Sequence, residues 1–263
     1  MGSGCIPILM YHDVTPQPAP GMHKYAVTPE VFGMHMNYLA CAGYSAITLD
    51  ALLAHRTGRG TLPPLPTIIT FDDGYQGCHD HAAPILRQHG FTAVFFLVAG
   101  MMGKTSRWLL AERGFESPLM DWAAARDLEA SGFHCGSHTM SHSRLALLPE
   151  PACRDELLRS RSILEDGLGH PILHLAYPYG SFHQGVRALA AEAGYASACS
   201  VRIGLSPPDD DFLALHRIHI AGRDSVRDLR TRLAIGRAVR DLPRFGAGHI
   251  YRLLRRAGKK VLG

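Results

Sequence analysis

The chain has 263 residues, of which 46% are hydrophobic and 19% charged. That is ample for one large domain with a buried core and too apolar for a disordered chain, and no apolar run approaches the ~20 residues a membrane helix needs. The formal charge of +4 is unevenly placed: residues 237–260 carry eight Lys/Arg and one acid, so the remainder sums to −3, which excludes a uniformly basic nucleic-acid binder.

The sequence enters a strand-like run at 6–11, with no charged-then-apolar signal-type stretch ahead of it. This favours a cytoplasmic protein and leaves an exported form open. Further strand-like runs fall at 67–71, 92–98, 133–137, 172–177, 196–200 and 217–220. Between them, the stretches 29–42, 81–89, 122–131, 149–168 and 184–193 space their apolar residues three and four apart, as helices do. Gly90, Gly132 and Gly194 follow three of these helices as stop signals. The alternation predicts an α/β fold with a parallel sheet, and seven or eight such units predict a barrel. Six cysteines without a CxxC pair fit free thiols.

In such folds the chemistry lies at the carboxyl ends of the strands. Residues 66–75 read PTIITFDDGY: an apolar strand runs into Asp72 and Asp73. Adjacent anions need a compensating cation or proton; a helix cap or Asx turn is the plain alternative. Residues 133–142 read FHCGSHTMSH, with His138 and His142 four apart. On one helical turn these imidazoles would share a face and reach one ion. Two histidines and a carboxylate with a position left for water form a catalytic zinc set, and either aspartate could complete it, leaving the other as base. Residues 175–182 read LAYPYGSF, a third strand ending in a turn.

TFDDGY, HTMSH and YPYG in this order resemble the polysaccharide deacetylase family (NodB homology, carbohydrate esterase family 4), over residues 8–220. ILMYHDV at 8–14, APILRQHGFTAVFFLVAG at 83–100 and MDWAAARDLEASGFHCGSHT at 120–139 extend the resemblance. It implies a distorted (β/α)7 barrel and removal of N-acetyl groups from N-acetylhexosamine units of a glycan or glycolipid. It implies that Asp72 is the general base. Asp73, His138 and His142 would hold a divalent metal, usually Zn2+, with Co2+, Ni2+ or Fe2+ as alternatives. The backbone N–H of Tyr179 would stabilise the oxyanion. The family's third motif has an arginine three residues before the tyrosine; here that position is Ala176. A branch acting on poly-N-acetylglucosamine-type substrates resembles this chain in its aromatic-Pro-Tyr-Gly turn and YHDV start, so the loss reads as a subtype trait. The partner that orients Asp72 is left unassigned.

LALH at 213–216 matches the family's late motif, which makes His216 the expected general acid. LHRIHI can also be read as a strand, which would favour His219. His12, Trp122, Tyr177 and His219 are substrate-binding candidates; for Trp122 a buried anchor at a helix start is the commoner use. The catalytic domain is expected over 5–236 and a basic amphipathic helix over 237–263, either docked at an anionic membrane surface or packed on the barrel. Oligomeric state leaves no trace in the sequence. Two other readings remain: a deformylase or deacetylase of a lipid-linked or small amide, and a non-catalytic carbohydrate-binding barrel. The intact Asp73, His138 and His142 weigh against the second.

Overall fold

The computed structural model describes residues 4–19 and 21–236. The basic stretch 237–263, for which a helix is expected, lies outside the described residues.

In chain order the elements begin with β1 (Ile8–Tyr11), β2 (Asp13–Val14), β3 (Ala26–Val27), α1 (Pro29–Cys41), β4 (Ser45–Ala46), α2 (Leu49–Arg56) and β5 (Pro66–Phe71). After a π-helical turn come α3 (Ala83–Gln88), β6 (Val94–Leu97), α4 (Arg107–Arg113), α5 (Trp122–Ala130), β7 (His134–Ser137) and α6 (Glu150–Leu168). The chain continues through β8 (His174–Ala176), α7 (Gln184–Glu192), β9 (Ser197–Ile203), β10 (Leu215–His219) and α8 (Val226–Ile235). Strands pair in parallel in the order β1-β10-β9-β8-β7-β6-β5, and β1 pairs again with β5, from Ile8↔Ile68 to Tyr11↔Phe71. The ring is therefore closed by seven parallel strands, the expected (β/α)7 barrel. The short β4 only extends β5 at its start, through Ser45↔Pro66 and Ala46↔Thr67.

Parallel strands are covered on both faces, and β1, β5 and β6 are accordingly apolar almost throughout instead of alternating with polar residues. The two-residue period still sorts their side chains. Ile8, Ile68, Val94, Phe96, Ala176, Cys199 and Leu215 form one buried cluster inside the ring. Leu9, Tyr11, Ile69, Phe71, Phe95, Leu175 and Ile218 belong to the larger cluster under the helices. The bore is tight: a Cβ on Gly136 of β7 would lie 2.6 Å from the Phe96 ring, so only glycine lets that ring fill the base.

The helices begin where the sequence provides caps. Thr28, Thr48 and Asp121 accept from backbone N–H groups of α1, α2 and α5, each contributing on the order of 1 kcal/mol. Gly90, Gly132 and Gly194 do adopt positive φ after α3, α5 and α7. Helices α2, α4 and α8 were not among the expected ones. Each is short, seven to ten residues, and offers few apolar positions to a periodicity test.

Candidate active site

A cavity of about 490 Å³ opens at the carboxyl ends of the strands. This volume suits a sugar-sized ligand. Strand phase determines what reaches it. Continuing the inward-facing positions by one more step gives His12 after Met10, Asp72 after Thr70, His138 after Gly136 and His219 after Arg217. All four line the cavity, together with Asp73, His142 and Tyr179.

Asp73 follows Asp72 with φ 74, a left-handed conformation that turns its carboxylate away from its neighbour's. Its Oδ1 lies 3.2 Å from His138 Nε2 and 3.1 Å from His142 Nε2. The histidines do not share a helical turn, as their spacing had suggested. Residues 138–142 form a loop in which Thr139 and His142 have φ 66 and 61. Glu156 of α6 fixes that loop: its Oε2 accepts from the N–H groups of Met140 and Ser141 at 3.0 Å each, and its Oε1 from Ser141 Oγ. Trp108 stacks on His142 at 4.2 Å, and Tyr179 meets the same ring edge-on at 4.6 Å.

These residues fit a divalent cation. The donor atoms of Asp73, His138 and His142 lie within 4.8 Å of one another, and all three residues are buried. His138 Nδ1 is 2.8 Å from the Ala176 carbonyl, which can only accept, so Nδ1 carries the proton. In the neutral ring, Nε2 then turns a lone pair toward the Asp73 carboxylate. Two acceptors at that distance repel unless a positive charge lies between them. Burial raises Asp73; where no ion lies between them, hydrogen bonds from His138 and His142 protonated at Nε2 hold it well below the usual carboxylate range.

Asp72 has a different partner. Arg217 of β10 forms a two-pronged ion pair with it: Nη1 donates to Oδ1 and Nη2 to Oδ2, both at 2.7 Å. The arginine is 1% exposed. It is braced by Nε donating to the Ser200 carbonyl at 2.9 Å and Nη1 to Thr70 Oγ1 at 3.1 Å. Burial raises Asp72, but the charge and hydrogen bonds of Arg217 bring it below its ordinary value. The cation absent at Ala176 is thus supplied from another strand.

Three expected residues lie elsewhere. His216 is out of phase with Arg217 and does not line the cavity; its Nδ1 lies 2.8 Å from Asp210 Oδ1. Tyr177, out of phase with Ala176, faces the helix layer, stacks on Phe182 and donates to the Leu213 carbonyl at 3.0 Å. Trp122 anchors the start of α5 against α6. A Cβ on Gly167 would lie 2.2 Å from its ring, so this helix pair depends on that glycine. His12 and His219 do reach the cavity, 5.8 Å apart, with Tyr25 5.1 Å from His12. Arg217, Trp108, Tyr25 and Glu156 were missed. Only Arg217 left a sequence signal, through its phase with Leu215 and His219.

Residues 59–198 match the family model described as polysaccharide deacetylase. The match includes Asp72, Asp73, His138, His142 and Tyr179, and leaves out His12, Arg217 and His219. The Bacillus subtilis protein YxkH is 24% identical over 216 residues, 82% of this chain and 71% of that one. The poly-beta-1,6-N-acetyl-D-glucosamine N-deacetylase of Staphylococcus epidermidis is 23% identical over 206 residues, 75% of this chain and 69% of that one. The Streptococcus pyogenes deacetylase PplD, solved with acetate, superposes with a TM-score of 0.76 at 21% identity, covering 87% of this chain and 98% of that one. The matched region is more than half of the chain, and the chain belongs to the polysaccharide deacetylase family.

Proposed function

We propose that this protein hydrolyses the acetamide of an N-acetylhexosamine unit in a glycan, releasing acetate and a free amine. One observation carries the reading: two adjacent buried carboxylates at the mouth of the barrel, one paired with a fixed cation and the other with two imidazoles. The Staphylococcus epidermidis relative, named for N-deacetylation of poly-N-acetylglucosamine, supports the bond and the sugar class.

Asp73, His138 and His142 would hold the divalent metal, zinc being the ion that best suits two imidazoles and a carboxylate. When bound, the ion supplies Lewis-acid polarisation of the amide carbonyl and of water. Asp72 takes the proton of the attacking water; Arg217 keeps it ionised and aimed. The backbone N–H of Tyr179, in a turn with φ 59, donates to the carbonyl oxygen as it gains charge. The departing nitrogen needs a proton. Burial lowers His12 and the charges of Arg217 and His138 act the same way, but Asp73 and Asp72, unlike anything facing His219, favour its charged form. Burial and the charges of His12, Arg232, Lys24 and Arg217 all act against the charged form of His219, which is pushed down to about 3. We therefore assign the proton to His12, and to neutral His219 a hydrogen bond with the sugar.

The test is acetate release from N-acetylglucosamine oligomers, with chelator and with zinc or cobalt added back. Chelator-sensitive release that metal restores is the expected result. Metal-loaded protein that releases nothing from any oligomer would overturn the substrate assignment.

A further inference from the structure

Beside the reaction centre, the cavity wall carries two cations that the hydrolysis does not use. Lys24, in the loop before β3, places Nζ 5.1 Å from the centroid of the Tyr25 ring. Arg113, the last residue of α4, places Cζ 4.9 Å from the same centroid. Both line the cavity. The hydrogen bonds of Arg113 go to neutral oxygens, Nη1 to the Gly21 carbonyl at 3.0 Å and Nη2 to Tyr25 Oη at 3.4 Å. Arg144, the third cation of the wall, is paired with Glu112 at 3.3 Å. Among the described residues, neither Lys24 nor Arg113 has a carboxylate within ion-pair distance. Two cations without a carboxylate partner thus lie within 5.1 Å of one ring centroid, and that ring packs on His12 at 5.1 Å.

A neutral N-acetylglucosamine chain offers such a pair hydrogen-bond acceptors but no negative charge. Two separate cations, one a guanidinium fork, suit an anion that presents several oxygens. We infer that the natural substrate carries a phosphoryl group on or next to the N-acylated sugar, held by Lys24 and Arg113 across the Tyr25 ring. The lining also has an apolar part: Val201 and Ile203, at the end of β9, are 41% and 48% exposed. An apolar substituent on the phosphoryl group could lie there. The inference rests on the hydrolase reading above but is tested by binding, so the two can fail separately.

The experiment is calorimetric titration of the full chain at low salt with four ligands: N-acetylglucosamine 1-phosphate, its dodecyl phosphodiester, the neutral methyl glycoside and N-acetylmuramic acid. Acetate release from each is followed in parallel. The phosphorylated sugar is expected to bind at least about tenfold more tightly than the neutral glycoside, or about 1.4 kcal/mol. That advantage is expected to shrink toward one in Lys24→Gln and in Lys24→Gln/Arg113→Gln, and to weaken in 0.5 M salt. Among the described residues the Lys24 side chain donates no hydrogen bond, so its single variant keeps the test valid if the double variant folds poorly. Tighter binding of the dodecyl diester than of the free phosphate would identify a lipid-linked source; equal binding would identify a soluble sugar phosphate. Equal affinity for phosphorylated and neutral sugars, no binding of either, an advantage that survives Lys24→Gln, or stronger binding of the muramic carboxylate would each overturn the inference. Tight phosphate-dependent binding without acetate release would leave it standing and remove the hydrolase reading instead.

Discussion

Asp72 and Asp73 share a peptide bond yet belong to two different regions of the site. Asp72 faces the closing seam of the barrel, where β10 brings the buried Arg217 to 2.7 Å. Asp73, turned away by its left-handed backbone, faces the loop after β7 and its two imidazoles. Both carboxylates are held below their ordinary range, against burial, but by different partners. A fixed guanidinium uses both oxygens of Asp72 and leaves it ionised and oriented, as the role of base proposed above requires. The imidazoles leave Asp73 able to share a metal ion. Identical side chains thus acquire different electrostatic partners from the elements they face.

Removing one side and then the other breaks this comparison most sharply. His138→Ala should abolish both bound metal and turnover, read by elemental analysis beside acetate release, because it removes the ligand whose ring is locked by the Ala176 carbonyl. Asp72→Asn should retain the metal and lose activity by about a hundred- to ten-thousand-fold, the usual range for a positioned base. Loss of metal in Asp72→Asn, or retention in His138→Ala, would mean that the two regions are not separate. His12→Gln should cost on the order of a hundredfold in kcat with metal content unchanged. Full turnover would return the proton donor to another group.

Arg217→Lys sharpens the Asp72 side. Lysine keeps the charge and loses the fork, so kcat should fall by about tenfold with a smaller effect on KM. The pH profile separates positioning from mere structure. Asp72 must be ionised to act, and Arg217 lowers its pKa, so the acid limb of kcat/KM lies below the ordinary value of about 3.9. Weakening the pair raises that pKa, and the limb should move to higher pH in Arg217→Lys and further in Arg217→Met. Arg217→Met leaves a buried carboxylate unpaired and should destabilise the fold by about 3–5 kcal/mol in denaturant titration. An unmoved acid limb in both would remove Asp72 as the titrating base.

Much of the fold was legible because parallel strands and amphipathic helices write different periods. The helix expected at 29–42 is Pro29–Cys41, and the one at 184–193 is Gln184–Glu192. The motif-bearing strand ends were legible for the same reason: TFDDGY and HTMSH follow apolar runs. What stayed hidden depends on contacts far apart in the chain. Arg217 and Asp72 are 145 residues apart, and nothing local marks them as partners. Glu156 holds the histidine loop from the middle of α6, and Trp108 reaches His142 from a helix too short to be noticed. The tryptophan that could be noticed, Trp122, is the structural one. Its position one residue after the cap Asp121 placed it at a helix start but could not show which way the helix faces.

The smallest expected effect tests strand phase itself. In β10, Leu215, Arg217 and His219 point into the barrel, whereas His216 and Ile218 point out. LALH at 213–216 matches the letters of a catalytic motif, but its histidine is the second residue of the strand, whereas the cavity lies at the other end. His216 is held there by Asp210, whose Oδ2 accepts from its backbone N–H at 2.9 Å and whose Oδ1 lies against its ring. Ser206 Oγ donates to the same carboxylate at 2.7 Å, and Arg56 donates to Ser206 in turn. This network ties the loop after β9 to α2 and touches nothing in the cavity. His216→Ala should therefore change kcat by no more than about twofold while lowering stability by about 1 kcal/mol, the worth of one lost hydrogen-bond partner. A hundredfold loss of kcat with the fold intact would mean that the strand is shifted by one residue, which would also take Arg217 away from Asp72. One variant thus tests the acid assignment and the register on which the base depends.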